Sequence, residues 1–186
     1  MSILNAITSG AGGVALSGDT SGNLIIQSAG TNVVTFTSTG MVTNVGAPAF
    51  FAYKSANSGV ISNSTYTKVT FDSEAFDTNN NFASSTFTPT VAGYYQVNGS
   101  ISLNAQNVNP TFGMSSIYKN GAQYVSSWVT GNASSLVNAQ VSAVIYMNGT
   151  TDYLELYGRL DGATNGIWQG GGTNATNFNA CLVRSA

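Results

Sequence analysis

Residues 87–103 read FTPTVAGYYQVNGSISL, a run that alternates with period two and carries no charged residue on either side. Such alternation marks a β-strand with one face in a core. It recurs beyond residue 48 in AFFAY, TYTKVTF, FASSTFTPT, FGMSSIYK, QYVSSWVT, AQVSAVIYM, DYLELYGRL and NFNACLV. Asn120-Gly121 predicts a two-residue hairpin turn and Asn148-Gly149 a second turn. No amphipathic stretch of ten residues supports a helix. The chain therefore reads as all-β, a sandwich of short strands.

The uncharged strand is typical of the whole. Charged residues make up 6% of the 186, against roughly 25% in an average soluble protein. The hydrophobic fraction is an ordinary 42%, so a core is available and disorder is not implied. Lys54, Lys68, Lys119, Arg159 and Arg184 are scattered, whereas nucleic-acid binding needs clustered cations. The lone Cys181 excludes an internal disulfide. The opening MSILNAITSGAGG lacks the basic and apolar regions of a secretory leader, and no run of about 18 apolar residues spans a membrane. The expectation is synthesis in a reducing cytoplasm, without membrane insertion.

Residues 1–46 differ from the rest. Their one charge is Asp19, and LIIQ (24–27) and VVTFTS (33–38) are β-rich segments between turn sequences. Two or three short strands bury too little to stand alone, and uncharged apolar edges invite pairing. Residues 1–46 are expected to be an attachment arm or intertwined β stem, and residues 47–186 a separate head.

The head resembles the globular head of complement one-q, a ten-strand jelly roll shared with tumour necrosis factor. The resemblance rests on AFFAYKS (49–55), FDSEAFDTNNNFASSTFTPTVAGYYQV, IYKNG (117–121), AVIYMNGTTDYLEL (143–156) and the closing FNACLV. It covers about three quarters of the chain, in order. Ser85 stands where that family prefers Gly, and its Gly-Asp pair is split here as Gly149 and Asp152. The metal-binding carboxylates of some members have no match, so no metal or cofactor is implied. GDTSGNLIIQSAGTN is similar to stems of bacteriophage tail fibres, which precede small trimeric heads.

By resemblance the head forms a homotrimer whose inner sheets meet on a three-fold axis. Tyr95, Val97, Gly99, Ile101 and Leu103 alternate with Tyr94, Gln96, Asn98, Ser100 and Ser102. The odd set is the expected core. The even set, with Gln140, Ser142, Val144 and Tyr146, faces either the neighbouring subunits or water. At such an axis every charge would meet its own images at high cost, and neutral residues avoid this. Tyr94, Gln96, Asn98, Val144 and Tyr146 are the expected interface.

The sequence is poor in catalytic tools. Without histidine there is no Ser–His or Cys–His pair and no imidazole metal site. The carboxylate pairs Asp72/Glu74 and Asp152/Glu155 read as solvated faces or turn caps, so no enzyme is expected. Binding residues concentrate on long loops. Strand reversal places NAQNVNPT (104–111), TGNASS (130–135) and RLDGATNGIWQGGGTNATN (159–177) at the end away from the head's termini. Trp168, with Asn165, Asp161 and Asn109, suits stacking against a sugar ring; the alternative folds Trp168 inward. Trp128 is expected in the core or between subunits.

These features fit a bacteriophage virion protein made in the host cytoplasm. It would be a fibre or spike docked on other virion proteins through residues 1–46, whose head adheres to host surface glycan. The alternatives are a capsid decoration or cement protein, and a polysaccharide depolymerase.

Overall fold

The computed structural model describes residues 20–44, 46–106, 108–130 and 134–186. The start of the expected arm, with SGAGG (9–13), and most of the loop core at 131–133 lie outside the described residues. The chain divides into two units, Met1–Gly46 and Ala47–Ala186.

In the first unit β1 (Leu24–Ser28), β2 (Thr31–Phe36) and β3 (Val42–Asn44) form an antiparallel meander. Its first turn is Ala29-Gly30, both at positive φ (50° and 78°), the conformation a two-residue hairpin needs. The register pairs Leu24 with Phe36, Ile26 with Val34, and Phe36 with Val42. Leu24, Ile26, Val34, Phe36 and Val42 therefore share one face, of which Ile26, Phe36 and Val42 remain exposed.

The second unit runs β4 (Ala49–Tyr53), β5 (Ser58–Ser62), β6 (Thr67–Lys68), β7 (Ser73–Asp77), β8 (Phe82–Ala83), β9 (Thr86–Phe87), β10 (Gly93–Asn104), β11 (Phe112–Lys119), β12 (Ala122–Thr130), β13 (Leu136–Met147), β14 (Leu154–Asp161), β15 (Asn165–Trp168) and β16 (Asn177–Ser185). They build two antiparallel sheets. The first has the order β5-β15-β10-β16-β4-β7, with β13 on the free side of β10; the second has the order β12-β11-β14-β9-β8, with β6 on β14. This is the expected all-β sandwich. Several neighbours are far apart in sequence, as in β10 beside β16 and β11 beside β14, which is a Greek-key arrangement.

The core lies between the sheets. Tyr95, Val97, Ile101 and Leu103 of β10, and Val141, Ile145 and Met147 of β13, are buried as the alternation requires. Phe50 stacks on Phe82 and Phe87, with centroids 4.5 Å away in both cases, and meets Phe178 edge-on at 5.2 Å. The Tyr95 hydroxyl donates to Val91 O at 2.7 Å, so burying its ring leaves no orphaned polar group. Ser115 is the exception among the described residues: its hydroxyl is buried with no partner.

Two turns follow the sequence closely. Asn120 (φ 54°) and Gly121 (φ 78°) close the β11–β12 hairpin. Ser85, the departure from the family's Gly, sits at φ 60°, a left-handed conformation costing a side chain roughly 1–2 kcal/mol. Its hydroxyl accepts from Phe71 N at 2.8 Å, an interaction glycine could not make and one that offsets the strain.

Candidate functional site

The outward side of the first sheet is almost free of charge. β10 and β13 pair along twelve residues, setting Tyr94 opposite Tyr146, Gln96 opposite Val144, and Asn98 opposite Ser142. On the other side of β10, Asn98 meets Asn179 and Ser100 meets Asn177 of β16. Neutral side chains are stitched across all three strands. Gln96 Nε2 donates to Ser142 Oγ (2.8 Å) and Asn98 Oδ1 (3.2 Å); Ser142 Oγ donates to Asn98 Oδ1 (2.8 Å); Asn98 Nδ2 donates to Asn179 Oδ1 (3.0 Å). Around this ladder lies an open cleft of about 570 Å³ lined by Asn98, Ser100, Gln140, Ser142, Asn174 and Asn177. Tyr94, Val144 and Tyr146 continue the face as exposed apolar groups. Among the outward positions described on these strands Arg184, opposite Tyr94, is the single charge, and from β11 the Lys119 ammonium reaches the edge of the face, donating to Tyr146 O at 2.7 Å and lying 5.8 Å from the Tyr146 ring centre. The five residues expected at an interface thus share one surface.

The second sheet is the reverse. Its outward side holds Lys68–Glu155 (2.6 Å) and Arg159–Asp161 (2.8 Å), and Lys119–Asp152 (2.9 Å) lies by the β11–β12 turn. The Arg159 guanidinium holds the Asp161 carboxyl below its ordinary value. The Asn120 amide, followed by Lys119, does the same for Asp152. Lys54, only 2% exposed, donates to Thr70 O at 2.5 Å, and burial pushes its ammonium pKa down. Asp72 accepts from Ser55 N (2.7 Å), and Asp152 accepts from Asn120 Nδ2 (2.8 Å) and Asn148 N (3.0 Å). These carboxylates are acceptors in turns and ion pairs.

At the end away from the head's termini, Ala105 N donates to Ser135 O, Thr111 N to Asp161 O, and Gly162 N to Asn63 Oδ1. The loops at 104–111 and 161–165 therefore converge, as strand reversal requires. A shallow pocket of about 230 Å³ lies between Gln106, Val108, Thr164 and Asn165. Asn109 is exposed on the first loop.

The stretch 159–177 is a correction to the sequence reading. It is no continuous loop: residues 165–168 form β15, which pairs with β10 and β5, and residues 169–176 fold back along the sandwich, where Gln169 N donates to Ser102 O. Trp168 is 1% exposed and cannot stack on a ligand. The reason is local. Ile167 and Trp168 follow Gly166 in strand alternation, and two glycines make room for the indole. A Cβ on Gly158 would lie 2.6 Å from Trp168 Cη2, and one on Gly59 2.7 Å from Trp168 Cδ1. The inward alternative holds. Trp128, by contrast, is 59% exposed and outside the core. The core half of the expectation for Trp128 therefore fails: its cross-strand neighbour is Met114 of β11, which in turn lies opposite Arg159 of β14.

No protein-family model matches the sequence, and no curated protein matches it. Solved structures do match in fold. The globular domain of zebrafish complement 1qA is similar at 17% identity and TM-score 0.54, covering 75% of this chain and 98% of that one. Murine APRIL is similar at 8% identity and TM-score 0.55, covering 74% and 99%. The Eiger TNF of S. frugiperda is similar at 9% identity and TM-score 0.53, covering 75% and 93%. At such identities the likeness is one of fold: residues 47–186 have the jelly-roll sandwich of complement one-q and tumour-necrosis-factor domains.

Proposed function

We propose that this chain is a structural protein of a bacteriophage virion, a homotrimeric fibre or spike whose head adheres to host surface glycan and whose first unit docks on other virion proteins. One observation supports the assembly most: the two sheets differ in charge. Ion pairs decorate the outside of β14, whereas the outside of β10 and β13 keeps neutral amides, hydroxyls and exposed tyrosines. Solvent does not require that division. A surface that meets its own copies does, because like charges brought together and desolvated cost several kcal/mol each.

The first unit fits an attachment role. Its meander presents Ile26, Phe36 and Val42 outward, and residues 20–46 carry no charge. A capsid decoration or cement role shares these features. Immunogold labelling of purified virions separates the readings: label at the tail supports the fibre, label spread over the capsid supports cement, and unlabelled virions contradict both. The depolymerase reading has no support in the arrangement of the carboxylates. Release of reducing sugar from host polysaccharide would restore it.

A further inference from the structure

We infer that the outer face of the second sheet carries a saccharide platform centred on Trp128; this rests on the adhesion reading and supplies the site that buried Trp168 cannot. Across β12, β11 and β14 the register sets Trp128 beside Met114, and Met114 beside Arg159. The Arg159 guanidinium lies 5.3 Å from the centre of the Tyr66 ring and 5.9 Å from that of Phe112. Asp161 holds it in a fork, with Nε to Oδ1 at 2.9 Å and Nη2 to Oδ2 at 2.8 Å. The result is a row of planar groups with one broad indole standing free.

This arrangement fits a pyranose. The C–H face of the ring stacks on an indole, whose π-face is electron-rich. Asp161 is only partly covered, and each of its oxygens keeps acceptor capacity beyond the fork. Thr130 and Ser126, two residues either side of Trp128 on the same strand face, add hydroxyls for the ring's substituents. Charge decides the ligand class. Arg159 is neutralised by Asp161, and the neighbouring Lys68 by Glu155. With no net cation to attract an acid, the ligand is a neutral glycan.

The test uses the full-length protein, an array of bacterial O-antigens, capsular polysaccharides and neutral oligosaccharides, and adsorption to a panel of bacterial strains. Wild type should bind a neutral glycan, and Trp128→Ala and Asp161→Asn should each weaken that binding at least tenfold. The emission of Trp168 should stay unchanged in Trp128→Ala, as a check on the fold. Unchanged glycan and cell binding in Trp128→Ala would overturn the platform and leave adhesion standing. Binding that is lost in Trp128→Ala yet survives periodate oxidation of the cells would assign the surface to a protein partner and overturn the glycan. Wild type that adsorbs to no strain and no glycan would overturn platform and adhesion together.

Discussion

Tyr94 and Tyr146 lie opposite each other across β10 and β13, ring centroids 5.5 Å apart, on the exposed side of the sheet. With Val144 they form a contiguous exposed apolar group on this face, and contiguous exposed apolar surface is a sign of association. Tyr146→Asp places three carboxylates around the proposed axis at a cost of several kcal/mol by desolvation and repulsion. The variant should run as a folded monomer at micromolar concentration, with an unchanged far-ultraviolet circular dichroism spectrum. A variant that stays trimeric by sedimentation would move the axis elsewhere.

Gly158 and Trp168 make the second case. The side chain added in Gly158→Ala would meet the indole at 2.6–2.7 Å and Ile101 Cδ1 at 2.9 Å. Overpacking of this kind costs about 1–3 kcal/mol. Trp168→Ala, which leaves a cavity, should cost about 3–5 kcal/mol. Urea denaturation measures both. Loss below about 0.5 kcal/mol for Gly158→Ala would mean that the indole moves aside freely.

Ser115 should behave in the opposite way. Its hydroxyl is buried without a partner, and an unsatisfied buried group costs about 1–3 kcal/mol. Ser115→Ala removes that penalty with little change in volume, so stability should rise by about 1 kcal/mol in the same denaturation experiment. A fall in stability would show that the hydroxyl is satisfied in solution.

Stability should hardly vary between pH 5 and 9, since the chain has no histidine. Asp152 and Asp161 titrate below their ordinary 3.8 in the folded state. Their contribution is present above about pH 4 and is lost as the pH falls through the depressed native values. At the alkaline end, burial pushes Tyr95 from 10.0 up to about 12. The unfolded phenol ionises first, so this contribution is complete below pH 10 and lost as the pH climbs toward 12. Buried Lys54, whose ammonium burial pushes below the ordinary value, acts in the opposite sense, and Tyr95→Phe isolates the phenol. The variant should lose less stability than wild type between pH 9 and 11.5. An equal loss in both would contradict the assignment.

The sequence carried the fold because a half-buried strand writes its two faces in alternate letters. The odd residues of 95–103 and the turn at Asn120-Gly121 could be placed from pattern alone. Trp168 could not. Its strand is four residues long, lies in a stretch (159–177) with eight glycines and asparagines, and is held by β5 and β10, far away in sequence. Whether such a segment is loop or strand is settled by distant partners that local pattern does not name. The uncharged face was legible as composition, but its contrast with the ion pairs on β14 needed both sheets in view. Trp128 was expected in the core or between subunits, and the core reading fails because alternation gives inward or outward only once a strand is assigned to its sheet.

If the neutral face of β10 and β13 meets its own copies, three chains form one particle. Sedimentation equilibrium of the wild-type protein at micromolar concentration, in low and in high salt, tests it most directly. A particle of three times the 19.2 kDa chain mass is expected, held equally well in both salts because its contacts carry almost no charge to screen. A single species of 19.2 kDa in both would contradict it.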